Sequence, residues 1–73
     1  MTWFFDRGSE VTACEVRRHS SSFEIAVRRP DGIETVEVAH TASALLSQLE
    51  ALPRTLLTEG WRPRLVPLRS ALV

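Results

Sequence analysis

Residues 21–40 read SSFEIAVRRPDGIETVEVAH, in which two runs of alternating apolar and polar residues flank a Pro-Asp-Gly turn. Alternation with a period of two places successive side chains on opposite faces of a β-strand. Proline, aspartate and glycine in succession favour a tight reversal of the chain. The stretch therefore predicts an antiparallel β-hairpin.

Two further β-like runs precede this hairpin, and turn-forming segments separate all four runs. The separating segments are DRGS at 6–9, HSSS at 19–22 and RPDG at 29–32. The runs are rich in Val, Ile, Phe, Trp and Thr, as half-buried strands require. They cover Thr2–Phe5, Glu10–Arg18, Phe23–Arg28 and Ile33–His40. This order predicts a four-stranded antiparallel meander.

The register of the meander follows if each separating segment is taken as a four-residue loop. A slip of one residue would move every side chain of a strand to the other face, so the loop length matters. Val16 should then lie beside Ile25, Ile25 beside Val36, and Arg17 opposite Glu24. The expected buried face consists of Trp3, Cys14, Val16, Phe23, Ile25, Val27, Val36 and Val38. Phe4, which should oppose Val11, is expected on the outer face with it.

From Thr41 onward the apolar period changes from two to about 3.6 residues, which is typical of an amphipathic helix. The apolar stripe consists of Leu45, Leu49, Leu52 and Leu56. Thr41 is a suitable N-cap, and Gly60 suits the left-handed residue that ends a helix. Trp61 should then fold back onto Leu56. Pro53 lies inside the helix, where a kink or break is expected because proline removes a hydrogen bond and crowds the preceding turn.

The predicted fold class is α+β, with a four-stranded antiparallel β-meander followed by one amphipathic helix packed on one face. A single domain should span residues 1–62, and residues 63–73 should form an extended C-terminal tail. If the helix is kinked at Pro53, its second half diverges from the sheet. We then expect Leu56 and Leu57 to need apolar contacts from the tail or from a second chain.

Composition excludes several classes of function. The 73 residues carry nine Arg, no Lys and nine acidic residues, so the formal net charge is zero. This balance argues against nucleic-acid binding by bulk positive charge. A single cysteine permits no intramolecular disulfide and no cysteine-based metal cluster. No apolar run approaches the length of a membrane span and no signal-peptide pattern is present, which predicts a cytoplasmic protein without a membrane segment.

The residues that could perform chemistry have structural explanations. Cys14 occupies a buried strand position, where a free cysteine behaves as a small apolar side chain. His19 and His40 lie in a loop and at a strand end, with no further ligand at metal-binding spacing. We therefore expect no catalytic, cofactor-binding or metal-binding residues, no evident site for a small-molecule ligand, and no enzymatic activity.

The leading hypothesis is a non-enzymatic interaction module that forms a homodimer or joins a larger assembly. It rests on apolar residues that remain after the core is built, since contiguous exposed apolar groups mark contact surfaces. The candidate interface residues are Phe4, Val11, Leu56, Leu57, Leu65 and Leu68. A dimer centred on Phe4 or on the Leu56–Leu68 region should bury at least ~1,000 Å² in total.

The alternative hypothesis is a weak single-strand nucleic-acid-binding module. Four antiparallel strands followed by one helix resemble the whirly and PUR-type single-strand nucleic-acid modules, which cover a similar length and often pair through their helices. The resemblance lies in the order of the elements, and no motif transfers a residue role. The candidate nucleic-acid contacts are therefore taken from the local excess of arginine near the C-terminus: Arg62, Arg64 and Arg69.

Overall fold

The computed structural model describes residues 1–64, which form one antiparallel sheet and one helix. The elements are β1 (Thr2–Arg7), β2 (Glu10–His19), β3 (Ser22–Arg28), β4 (Glu34–Ala39), α1 (Ala42–Thr58) and β5 (Arg62–Pro63). The spatial order of the strands is β4-β3-β2-β1-β5. The predicted α+β meander followed by one helix is confirmed.

The fifth strand is an addition to the predicted architecture. Arg62 pairs with Asp6 and Pro63 with Phe5, and the backbone N–H of Arg64 donates to the carbonyl of Phe4 at 2.9 Å. The predicted boundary between residues 62 and 63 therefore falls inside a strand. The chain after the helix returns to the sheet on the edge opposite to β4.

The register between β2 and β3 is the predicted one. Val16 lies beside Ile25, and Cys14 lies beside Val27. Arg17 opposes Glu24 on the other face, as expected. The connection closes with Ser20 and Ser21 between the paired residues of the two strands.

The register between β1 and β2 differs from the expected one by two positions. Residues 8 and 9 form a two-residue loop, so Phe4 pairs with Ala13 and Trp3 with Cys14. The pairing of Phe4 with Val11 is therefore wrong. A shift of two positions preserves the faces, so Phe4 and Val11 still lie on the outer face.

The register between β3 and β4 is shifted by one position, and this shift changes the surface of the protein. Ile25 lies beside Glu37, and Ala26 lies beside Val36. The expected pairing of Ile25 with Val36 is wrong, as is the burial of Val36 and Val38, which lie on the outer face. The physical reason is a longer loop, described next.

The loop between β3 and β4 contains five residues between the paired positions, not four. Arg29 N–H donates to Ile33 O at 2.9 Å, and Gly32 N–H donates back to Arg29 O at 2.9 Å. Asp31 Oδ1 accepts from the N–H of Ile33. Gly32 has a φ of 87°, a left-handed conformation that L side chains rarely adopt. Pro-Asp-Gly is thus a turn followed by a left-handed residue, which adds one residue to the loop.

The apolar stripe of α1 packs on the inner face of the sheet, as predicted. The core consists of Phe5, Cys14, Ile25, Val27, Leu56 and Trp61, with Trp3, Val16, Leu45, Leu49 and Leu52 packed against it. The side-chain oxygen of Thr41 accepts from Ala44 N–H at 3.0 Å and caps the helix. The helix is unbroken at Pro53, and Leu56 is 0 % exposed. The expectation that Leu56 would be left uncovered is therefore wrong.

The end of α1 explains the burial of Leu56. Trp61 N–H donates to Leu56 O at 3.0 Å, and Gly60 N–H donates to Leu57 O at 3.1 Å. This pair of bonds defines a Schellman ending. Trp61 is itself buried beside Leu56, as predicted. Because this apolar contact closes the helix end from within the chain, Leu56 stays covered despite the proline, whereas Leu57 is exposed.

Candidate interaction surface at the edge strand β4

Strand β4 forms one edge of the sheet, and it is the most exposed of the long strands. Five of its six residues are exposed, and only Ala39 is buried. Within residues 1–64, β4 pairs with β3 on one side and with no strand on the other. Its outward side therefore presents unpaired backbone groups, which is the geometry that accepts another strand.

The hydrogen-bond pattern shows which backbone groups point outward. Directly opposite residues in an antiparallel pair alternate between hydrogen-bonded and non-hydrogen-bonded positions. Arg29 and Ile33 form a hydrogen-bonded position. In the same register, Thr35 and Glu37 turn their backbone groups toward β3. The N–H and C=O groups of every second residue, namely Glu34, Val36 and Val38, therefore point away from the sheet.

The outer face of β4 carries two exposed valines. Val36 is 45 % exposed and Val38 is 46 % exposed. Valine favours strands because its branched side chain packs against neighbours on a pleated surface. Within residues 1–64, these two valines have such neighbours only on the β3 side. The two valines and the outward backbone groups define the surface that we call the β4 edge.

A charged network separates the β4 edge from the apolar residues on the far side of the outer face. The Arg17 guanidinium bonds Glu15 Oε1 at 2.7 Å and Glu34 Oε1 at 3.2 Å, and Arg28 reaches Glu34 at 3.3 Å. The hydrogen bond from Arg17 lowers the pKa of Glu34, and the bond to Glu15 raises the pKa of Arg17. Ala26 lies between β2 and β4 and is only 2 % exposed. Its short side chain leaves room for Arg17 to reach across β3.

A second ion pair joins β1 to the chain after the helix. Arg64 donates from Nε to Asp6 Oδ2 at 3.0 Å and from Nη2 to Asp6 Oδ1 at 2.6 Å. The Arg64 guanidinium also lies 5.3 Å from the centre of the Phe4 ring. The hydrogen bond from Arg64 lowers the pKa of Asp6. The positive charge of Arg64 is therefore matched within the chain.

The candidate interface residues do not form one patch. Phe4 and Val11, each 37 % exposed, lie on the outer face, whereas Leu57 lies on the helix side of the sheet and is 42 % exposed. Leu56 is a core residue and cannot lie at a surface contact in this fold. Leu65 and Leu68 lie outside the described residues. The apolar surface is therefore divided between two sides of the molecule.

The candidate nucleic-acid contacts are equally dispersed. Arg62 is exposed on β5, and Arg64 is engaged by Asp6. Arg69 lies outside the described residues. On the sheet itself, the guanidinium groups of Arg17 and Arg28 face carboxylates. The described residues offer no cluster of unpaired arginines on one face.

Cys14 is buried on the inner face, as predicted. Its side chain is 0 % exposed, and burial raises the pKa of the thiol to about 11, partly offset by the nearby charge of Arg29. A thiol acts as a nucleophile only in its thiolate form, so the buried Cys14 thiol is unreactive. Within residues 1–64, no group of three or more His, Cys, Asp or Glu side chains could hold a metal ion. No helix in this part of the chain is long and apolar enough to cross a membrane.

The expected four-residue loop between β3 and β4 places Val36 and Val38 in the core, so the β4 edge is not identified from the sequence. The signal was present in the Pro-Asp-Gly turn, since a glycine directly after a type I turn typically adds a bulge residue to the hairpin. Counting that residue reverses the faces of β4 and places Val36 and Val38 outside. Comparison with known proteins adds no assignment, because no protein-family model, curated protein or solved structure matches the chain.

Proposed function

We propose that this chain is a small, non-enzymatic interaction module that forms a homodimer by pairing the β4 edge with the β4 edge of a second copy. The single observation that carries the proposal is that β4, among residues 1–64, is an unpaired edge strand exposed on both faces. Native proteins usually cover, shorten or twist such edges to prevent strand addition. This edge is six residues long and carries two exposed valines on one face.

The symmetry of a two-fold dimer restricts the register of the added strand. An axis perpendicular to the sheet keeps both helices on the same face, so outer-face residues must oppose outer-face residues. Centring the axis on Glu37 would set two like charges opposite each other, which is unfavourable. Centring it on Thr35 would leave Val38 without a partner. Centring it on Val36 pairs the two Val36 side chains and places Thr35 beside Glu37 of the partner subunit.

Other features of the chain support self-association. The formal net charge of zero means that two copies do not repel one another as a whole. The apolar surfaces near Phe4 support a dimer less well, because the Phe4 ring already lies against the Arg64 guanidinium. Pairing of the two β4 strands would also join the five-stranded sheets of the two copies into one ten-stranded sheet. We expect a total buried area of ~1,000 Å², at the lower end for specific interfaces.

Replacing one outward N–H tests the proposal. Val36→Pro removes the N–H that points away from the sheet and keeps the hydrogen bonds between β4 and β3. Edge strands tolerate proline at a position whose N–H faces away from the sheet. In the proposed register both hydrogen bonds between the two Val36 residues are lost. Each contributes about 0.5–1.5 kcal/mol, so the dimer dissociation constant should rise roughly 5-fold to 150-fold. Sedimentation equilibrium over a concentration series measures this change.

Val36→Thr is the matched control, because it keeps the N–H and a branched side chain. It should remain a dimer, weakened only by the loss of apolar contact. A thermal unfolding curve of the diluted, monomeric Val36→Pro protein confirms that the fold survives. A wild-type chain that sediments at its monomer mass of 8.2 kDa throughout the series would refute the proposal. A dimer that is equally tight in Val36→Pro would refute the edge as its interface.

A further inference from the structure

The inner side of β4 borders a groove that the helix leaves uncovered. The groove has a volume of about 230 Å³ and lies between α1 and the last two strands of the meander. Its floor and one wall are apolar, formed by Ile25, Val27, Ala51 and Leu52. The polar lining comes from Arg29, Thr35, Glu37, Gln48 and Thr55.

Two hydrogen-bond acceptors in this groove have no partner within the described residues. Gln48 Oε1 is buried and accepts no hydrogen bond. Glu37, on β4, forms no ion pair with residues 1–64, although most carboxylates of the sheet do. A buried acceptor without a donor is unfavourable, because it has lost its water without a replacement. This cost applies to Gln48 Oε1, whereas Glu37 is exposed and carries a negative charge. A cationic ligand that donates hydrogen bonds satisfies Gln48 and pairs with the charge of Glu37.

The charges in the groove are arranged along its length. Glu37 pairs with Ile25 in the middle of β3, and Arg29 directly follows the last residue of that strand. The Arg29 guanidinium is held by Glu59 at 2.8 Å, and the Thr55 hydroxyl donates to Ala51 O at 3.3 Å. The groups at the Arg29 end are thus engaged within the chain. The unmatched charge is negative and lies at the Glu37 end.

The volume limits the part of a ligand that the groove can enclose. Pockets for drug-sized molecules span ~300–1,000 Å³, and an apolar cavity of ~150 Å³ holds a benzene molecule. At about 230 Å³, the groove suits one ring or a short aliphatic chain with a polar head. The apolar floor receives the body of the ligand, and the head reaches Glu37 and Gln48.

We propose that this groove binds a small primary ammonium compound with a compact apolar body. The ammonium group donates to the Glu37 carboxylate and to Gln48 Oε1, and the apolar body lies on Ile25, Val27 and Leu52. Charge complementarity selects the cation, since a neutral analogue loses the attraction of Glu37 and an anion is repelled by it. The site does not require the proposed dimer, because every residue that lines it belongs to one chain; in the proposed register Glu37 also lies beside Thr35 of the partner subunit.

Benzylamine is a suitable probe, and binding is measured by NMR chemical-shift titration of the full chain at low ionic strength. For so few atoms we expect a dissociation constant of about 1 mM. The shifts should cluster at the amides of residues around Glu37, Gln48 and Ala51. Benzyl alcohol and benzoate, which keep the ring and remove the positive charge, should bind at least roughly tenfold more weakly.

Two variants test the residues that hold the ammonium group. Glu37→Gln and Gln48→Leu should each weaken benzylamine binding roughly tenfold or more, because the first removes the negative charge that attracts the ammonium group and the second removes an oxygen that accepts a hydrogen bond from it. Glu24→Gln is the matched control, since it removes one carboxylate from the opposite face of the sheet and should leave binding unchanged. Equal binding of benzylamine and benzoate, or a wild-type affinity in Glu37→Gln, would overturn the proposal. So would the absence of any shift in the groove at several times the expected dissociation constant.

Discussion

At the scale of single residues, Cys14 shows how burial controls chemical reactivity. The thiol lies in the core, and desolvation raises its pKa to about 11. Both access and thiolate formation therefore require the core to open. We predict that a thiol reagent labels the native protein slowly and labels the denatured protein at the rate of an ordinary cysteine. Rapid labelling under native conditions would show that the sheet and helix do not enclose this position.

Two carboxylates make the stability of the protein sensitive to acid. Hydrogen bonds from Arg17 and Arg64 lower the pKa values of Glu34 and Asp6 respectively. A lowered pKa in the folded state stabilises the protein above the unfolded pKa, near ~4, and this contribution disappears as the pH falls through the folded value. We predict that the thermal midpoint of the wild type falls more steeply below about pH 4 than that of an Arg17→Met, Arg64→Met double variant. If the thermal midpoints of the wild type and the double variant fell in parallel from neutral to acid pH, this linkage would be contradicted.

At the scale of elements, the end of α1 depends on one backbone conformation. Gly60 has a φ of 94°, and a Cβ atom at this position would meet only Arg7 Cδ, at an ordinary contact distance of 3.5 Å. The cost of a side chain therefore comes from the backbone angle and not from lack of space. We predict that Gly60→Ala lowers the free energy of unfolding by about 1–2 kcal/mol. Gly60→Asn should lose less, because asparagine tolerates the left-handed region. Chemical denaturation measures both variants, and equal losses would show that the helix end is not held by this angle.

The elements also show what the sequence could and could not predict. The helix, its cap and its Schellman ending follow from Thr41, the leucine stripe and Gly60, since these are local signals. The β2–β3 register follows equally well, because a reversal centred on HSSS gives the observed pairs whether the loop has the expected four residues or the observed two. The β3–β4 register was wrong by one position because both faces of β4 carry residues that are acceptable in a strand. Only the left-handed Gly32 distinguishes the two registers.

At the scale of the whole molecule, the two edges of the sheet differ. The edge at β1 is partly covered, because the chain returns after the helix and forms β5. The opposite edge at β4 is uncovered within residues 1–64. Neither the return of the chain nor the uncovered groove could be predicted from the sequence, since both depend on where the helix crosses the sheet. The single helix is narrower than the sheet, so one edge remains open.

The uncovered β4 edge is the surface at which we propose that a second copy pairs. Amide hydrogen exchange at individual residues tests this claim most directly, because it reports the hydrogen bonds of the outward groups themselves. In a monomer, Thr35 and Glu37 should be protected by their bonds to β3, while Val36 and Val38 exchange freely.

The measurement is therefore the exchange rate of the Val36 and Val38 amides as a function of protein concentration. We predict that both become protected as the concentration rises, in parallel with the mass measured by sedimentation, and that Val36→Pro abolishes the protection at Val38. Free exchange at Val36 and Val38 at every concentration, with Thr35 and Glu37 protected throughout, would contradict the account.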